Sequence, residues 1–242
     1  MGLASPTVLR RLTQDERDFL ARLEGGHPIT PSERRDYAHL IARLTRTGAW
    51  RSGPQRTARA SVGGDPALSS GVASALRAMG VRVRREPGDG SLTVIAGLAT
   101  ADPALTTALM AASTPHIAIL ADDAGAWVSH VIQPGLTACA RCRDVARTRA
   151  NHDWPLVAMQ CVRRTPRLNP LAESVTVARA AARALAWLDA EGAGREGAGG
   201  EGERVDALGA VTSEPLLPEP ACGCGAAGAV GDEVAARRAR WR

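Results

Sequence analysis

Two short-spaced cysteine pairs, Cys139-Ala140-Arg141-Cys142 and Cys222-Gly223-Cys224, constrain this chain more than any other feature. Four thiolates delivered as two pairs, each on a turn, are the donor set of a tetrahedral zinc ion. A chain that assembles such a site must bring its C-terminal part back onto its middle. The assembled site would leave no open coordination position, so the metal is expected to staple the fold rather than catalyse. Four of the five cysteines lie in these pairs, which fits a reducing, cytoplasmic setting better than a disulfide framework. The fifth, Cys161, stands among Val157, Ala158 and Val162 and reads as a small buried hydrophobe. His130 and His152 flank the first pair and are the alternatives for a ligand position, though each reads first as a neighbour of the site. His116, at a strand start, and His27, in a loop, read as structural.

The chain has 242 residues, 45% of them hydrophobic, enough for one sizeable core and a small accessory module. Aromatic residues make up only 3%, so that core must be built from Ala, Val, Leu and Ile. All 30 basic residues are arginine, which excludes any chemistry that needs a lysine amine. The net charge of +5 is spread over short clusters such as Arg82, Arg84 and Arg85, which read as solvated faces rather than a nucleic-acid surface. There is neither a signal-peptide core nor a run long enough to cross a membrane.

Residues 1–57 read as a helical, winged-helix-like module. Thr13-Gln14-Asp15-Glu16 and Thr30-Pro31-Ser32-Glu33 are capping boxes, each followed by apolar residues at helical spacing: Phe19, Leu20 and Leu23, then Tyr37, Leu40, Ile41 and Leu44. Trp50 would pack on the pair, ahead of a linker near residues 51–58.

Residues 58–190 alternate short apolar runs with capped helices, the pattern of a mostly parallel sheet covered by helices. Strands are expected at 60–63, 81–83, 92–97 and 117–120, with 127–132 returning as a hairpin partner after the Asp122–Gly125 turn. Asp65-Pro66-Ala67-Leu68 and Asp102-Pro103-Ala104-Leu105 start two helices with the same device, aspartate as cap and proline in the first turn. The first of these presents Leu68, Val72, Leu76 and Met79 on one face. Helices are expected at 143–151 and 156–164, and Asn169-Pro170 caps a long one whose Ala178, Ala181, Leu185 and Leu188 share a face. Residues 191–204, EGAGREGAGGEGER, read as a freely looping Gly-rich linker. Residues 205–242 return the second cysteine pair through an extended Glu214–Pro218 segment and end in an Arg-rich tail.

Val131-Ile132-Gln133-Pro134-Gly135-Leu136-Thr137-Ala138-Cys139-Ala140-Arg141-Cys142-Arg143-Asp144, with Arg147 and Asp153-Trp154-Pro155, resembles the zinc-knuckle region of the ThiF/MoeB (ubiquitin-activating-like) superfamily. More closely it is similar to the divergent ThiF-like proteins that accompany YcaO cyclodehydratases in thiazole/oxazole-modified peptide biosynthesis. The resemblance implies a Rossmann-like α/β fold and a structural zinc on Cys139, Cys142, Cys222 and Cys224. It also implies a partner protein that binds a ribosomal precursor (leader) peptide and presents it to a YcaO-type enzyme, with homodimerisation as a family habit. Tyr37, Leu40, Leu44 and Trp50 of the helical module are then the candidate peptide contacts, and Trp127 and Trp154 are expected to pack around the knuckle.

Adenylating members of the superfamily carry a Gly-rich phosphate turn, a phosphate-binding lysine and an aspartate after the third strand. Here Gly63-Gly64-Asp65-Pro66 puts an acid and a proline where further glycines would admit a pyrophosphate, and Val94–Ala99 offers no acid. The expectation is a degenerate nucleotide loop at Gly63, Gly64 and Asp65, and a chain that does not use ATP. The alternatives are an adenylyltransferase acting on a peptide or sulfur-carrier C-terminus, and a purely structural dimer subunit.

Overall fold

The computed structural model describes residues 12–24, 29–46, 59–85, 92–162, 164–165, 167–190 and 200–227. Trp50, His27 and the expected linker at 51–58 lie outside them. The chain divides into two compact units, Met1–Gln55 and Arg56–Arg242.

The first unit carries α1 (Gln14–Glu24), α2 (Pro31–Asp36) and α3 (Ala38–Arg46). Both capping boxes form: Thr13 and Glu16 exchange bonds at the start of α1, and Thr30 and Glu33 do so at the start of α2. The second expected helix is broken in two at Tyr37, which leaves helical geometry and stacks on Phe19 with ring centroids 4.2 Å apart. Phe19, Leu40 and Leu44 are buried as the core of this unit. Among its described residues there is no strand, so the winged-helix comparison extends only to the helices.

The second unit is built on one seven-stranded sheet, β1 (Arg59–Gly64), β2 (Arg82–Arg84), β3 (Leu92–Leu98), β4 (His116–Asp122), β5 (Gly125–Val128), β6 (Gly200–Asp206) and β7 (Val211–Leu216), in the order β2-β1-β3-β4-β5-β6-β7. The first four strands are parallel and the last three extend the sheet antiparallel. The central strands are buried on both faces, as parallel strands must be when helices cover both sides. Thus Ile117, Ile119 and Ala121 face one core while Ala118 and Leu120 face the other.

One face is covered by α4 (Pro66–Ala78) and α8 (Pro170–Asp189), which pack on each other where Gly71 meets Val177. The stripe of α8 that is buried runs through Ala172, Thr176, Ala180, Ala181, Ala184, Trp187 and Leu188. Ala178 is exposed, so the expected face is displaced around the helix: small residues let α8 approach the sheet more closely than the larger aliphatic residues would. Met79 likewise ends α4 as an exposed cap instead of a core residue.

The other face carries α5 (Pro103–Ala111) and α6 (Ala140–Ala150), with α7 (Trp154–Cys161) packed on α6. None of α7's residues is fully buried, and Cys161 is half-buried rather than the core residue expected.

The part of the Gly-rich stretch from Gly200 onward is a strand and not a linker. Its glycines alternate, and both inward-facing ones lie under aromatic rings: Gly200 beneath His130 and Gly202 beneath Trp127. Glycine is required there because the rings occupy the space a Cβ would need. On the opposite side of β6, Glu203 pairs with Arg179 and Arg183 of α8.

Candidate metal centre

The β6–β7 hairpin returns the C-terminal segment to the middle of the chain. Beyond β7 a single 3-10 turn, Pro220–Cys222, places Cys222 and Cys224 against the start of α6. Gly223 between them has φ +73°, a left-handed conformation that lets both side chains turn to the same side. The other pair sits on α6 itself, Cys139 as N-cap residue and Cys142 in the first turn.

The four sulfurs lie within 4.8 Å of one another. Cys139 Sγ is 3.9 Å from Cys142 Sγ and 3.5 Å from Cys222 Sγ, and Cys142 Sγ is 3.6 Å from Cys224 Sγ. A tetrahedron of thiolates at a Zn–S distance of about 2.3 Å has edges of about 3.8 Å. Three of the separations are close to those edges and none exceeds them by more than about 1 Å, so the donor set fits a divalent tetrahedral metal. Among the described residues this is the group able to hold a metal.

Electrostatics lead to the same result. The Cys139 thiol donates to Cys142, and together with the Glu219 N–H, 3.4 Å from Cys142 Sγ, pulls Cys142 down to about 5. Its partner moves the other way, because Cys139 holds the proton it donates. Burial pushes Cys222 up to about 12. Without a cation one thiolate is favoured and its neighbours stay protonated; a divalent metal among them would ionise all four.

The support around the sulfurs is polar and ordered. Arg143 is buried with its guanidinium 4.7 Å above the Trp127 ring, and Arg147 lies 4.4 Å above Trp154. Burial pushes Arg143 down to about 10. Asp144 accepts from Thr100 Oγ1 at 2.9 Å and from Trp154 Nε1 at 3.0 Å, while burial raises its pKa above the usual carboxylate range. Thr100 N–H reaches back to Leu98 O across Ala99, whose φ of +58° gives the strained form of γ-turn. Arg143 and Arg147 both donate to Ala99 O at 3.4 Å, and so hold the strained residue and α6 together.

His130 and His152 are not among the metal donors. His130 is buried and its Nε2 donates to Ala138 O at 2.8 Å; burial is the main cause that lowers it to about 4. His152 is exposed. His116 is fully buried and lines a cleft of about 230 Å³ beside Cys139, Cys222 and Cys224. Its Nδ1 donates to the Thr114 carbonyl at 2.9 Å, leaving the lone pair on Nε2.

At the carboxyl end of β1, Gly64 has φ +87° and passes so close to Ala96 that a Cβ would lie 2.0 Å from its carbonyl oxygen. Asp65 Oδ1 accepts from the amides of Ala67 at 3.0 Å and Leu68 at 3.4 Å. Its carboxylate therefore occupies the N-terminus of α4, the place an anion would take.

No protein-family model matches the chain, and no curated protein matches it in sequence. Solved structures do match. A heterocyclase in complex with substrate and cofactor superposes with a TM-score of 0.54 at 16% identity, over 90% of this chain and 32% of that one. The heterocyclase TruD gives 0.52 at 17% identity, over 89% and 35%. E. coli MccB with MccA-N7isoASN gives 0.50 at 12% identity, over 86% and 85%. The chain shares the α/β fold of these structures. It spans about a third of the length of the heterocyclases it matches.

The residues singled out in the helical unit divide. Leu40 and Leu44 are buried in that unit's own core, which corrects their reading as peptide contacts: the shared face that drew attention to them is the face on which the helices pack. Tyr37 is half-buried on Phe19. Trp127 and Trp154 each stack with an arginine of α6, Arg143 and Arg147 respectively. The Arg143–Trp127 and Asp144–Thr100 contacts, like the place of His116 beside the cysteines, depend on strand order and are invisible to residue spacing.

Proposed function

We propose that this chain is the non-catalytic, metal-stapled ThiF-like component of an azoline-forming system. It binds a ribosomal precursor peptide and presents it to a YcaO-type cyclodehydratase, which carries the ATP-dependent chemistry. The observation that carries this reading is the likeness to heterocyclases over nine-tenths of this chain, confined to about a third of theirs. On this reading the chain is the scaffold of such an assembly and a partner supplies the remainder.

A second line of support lies at the nucleotide crevice. The Asp65 carboxylate already satisfies the α4 amides that would bind a phosphate, and no lysine is present to neutralise one. A working adenylyltransferase would need that carboxylate to leave and a cation to replace it. Zinc on the four cysteines supplies cohesion and no chemistry: it would tie the C-terminal hairpin to α6 and so hold β5, β6 and β7 in register.

The test is fluorescence anisotropy of labelled precursor peptides, taken from reading frames beside the gene, titrated with the full chain. Saturable binding that survives omission of ATP supports the reading. Absence of binding to every such peptide, or robust pyrophosphate–ATP exchange by the chain alone, would overturn it in favour of a structural subunit or an adenylyltransferase respectively.

A further inference from the structure

The four sulfurs are placed for a second chemistry besides holding a metal. Cys139 Sγ lies 3.5 Å from Cys222 Sγ and Cys142 Sγ lies 3.6 Å from Cys224 Sγ, both shorter than the 3.9 Å between Cys139 and Cys142. These two contacts share no sulfur, so all four cysteines can be joined in two bonds. Each bond runs between the start of α6 and the turn beyond β7, the same two segments that a metal would tie together. Pairing within each segment instead would free the hairpin, and Cys222 and Cys224, one residue apart, could bond only by straining their turn. A cleft of about 230 Å³ gives access: Cys139, Cys222 and Cys224 line it together with the exposed Thr107 and Arg141, and Cys224 is only half-buried. A peroxide molecule is little larger than a water, whose share of liquid volume is about 30 Å³, so the cleft admits it with the metal site filled.

We propose that the cluster is a peroxide-sensitive staple: oxidation pairs Cys139 with Cys222 and Cys142 with Cys224, releases the metal, and exchanges a coordinated link for two covalent ones. Hydrogen peroxide is the oxidant. The Cys224 thiolate attacks one peroxide oxygen, the O–O bond breaks, hydroxide leaves and the sulfur becomes a sulfenic acid. The Cys142 thiolate then displaces that hydroxyl group to form the S–S bond, and both hydroxides take up protons as water. A second peroxide does the same for Cys139 and Cys222. Four thiolates, two peroxides and four protons thus give two disulfides and four waters, with sulfur oxidised and peroxide oxygen reduced. Disulfide sulfurs are no longer thiolate donors, so the donor set for the metal is lost. The proposal rests on the arrangement of the four cysteines and is independent of peptide binding.

The experiment treats the full zinc-loaded chain, free of added thiol, with hydrogen peroxide. Released zinc is followed with a chromophoric chelator, and disulfides are mapped by non-reducing proteolysis and mass spectrometry, with fragmentation between Cys222 and Cys224 assigning each partner. Complete zinc release at about two equivalents of peroxide per chain is expected, with both bonds cross-paired as stated and reversed by dithiothreitol and zinc. Cys161→Ser, outside the cluster, should behave as the wild type. The oxidised chain should melt about 5 °C or more above the reduced, metal-free chain, because the covalent links still hold the hairpin. Any other pairing, bonds between chains, oxidation to sulfinic acid, or thiols left intact once added glutathione is fully oxidised would overturn the proposal, as would an oxidised chain no more stable than the reduced, metal-free one. If the chain purifies without metal, the metal reading fails by itself; the same mapping on the reduced chain still decides this proposal, cross-pairing supporting it and any other result overturning it.

Discussion

Replacing Gly200 by alanine decides whether the Gly-rich stretch is a seated strand or a loose connection. A Cβ at residue 200 would lie 1.9 Å from His130 Cγ, 2.3 Å from its Nδ1 and 2.4 Å from its Cδ2. At residue 202 it would lie 2.5 Å from Trp127 Nε1 and 2.9 Å from both Trp127 Cε2 and the Glu214 carbonyl oxygen. Neither ring can yield easily: His130 and Trp127 are essentially inaccessible, and β6 is held to β7 from Gly200 onward and to β5 from Glu203 onward. Overpacking of this kind costs about 1–3 kcal/mol and occasionally more. The reduced entropy of the unfolded chain offsets about 0.4–1 kcal/mol of that. The net expectation is a loss of about 2.5 kcal/mol for Gly200→Ala and about 2 kcal/mol for Gly202→Ala. Glu201→Ala, between them and exposed, should stay within about 0.5 kcal/mol. Urea unfolding of the metal-loaded protein measures these differences, and thermal midpoints should fall by about 2–4 °C per kcal/mol in a unit of this size. Unchanged or increased stability of Gly200→Ala would refute the seating of His130 on β6 and restore the linker.

Other consequences can be measured on the same protein. Folding holds His130 neutral by burial at a pKa of about 4, and His116 is lowered in the same direction. A depressed folded-state pKa contributes stability that is present above about pH 6.5 and lost as pH falls toward the folded value. For His130 this amounts to about 2 kcal/mol between pH 7 and pH 5, and His130→Gln should flatten that part of a urea-derived stability profile. Asp65→Ala removes the α4 cap and should cost about 1 kcal/mol in the same assay, a smaller loss than the glycine variants. Cys142→Ser removes a metal donor and the sulfur that Glu219 and Cys224 approach; a fall in thermal midpoint is expected that added zinc does not reverse, while the wild type loses and regains the same increment with chelator and zinc.

Much of this fold can be read from local chemistry. Asp65-Pro66, Asp102-Pro103 and Asn169-Pro170 each cap a helix through a side-chain oxygen, because cap and proline act within one turn. The cysteine pairs announce a common centre because nothing else about CxxC and CxC favours that spacing, and the structure brings them together. What escapes is whatever depends on a neighbour distant in sequence. Composition makes Gly200–Arg204 look like solvated chain, since the reason for its glycines is a histidine and a tryptophan seventy-odd residues earlier. Leu40 and Leu44 show the reverse error: periodicity marks an apolar face, but it does not say whether a peptide or a sister helix covers it. Tyr37 departs from helical geometry where it stacks on Phe19, although its N–H still reaches Glu33 O and its carbonyl still accepts from Ile41.

The account rests most heavily on a metal that joins the two cysteine pairs across the hairpin. Its most direct test is metal content per chain by elemental analysis, on the wild type and on Cys222→Ser, both purified without added chelator. The account predicts one zinc per wild-type chain and its loss from Cys222→Ser. A wild-type chain with no stoichiometric metal, or a variant that keeps its zinc, would contradict it.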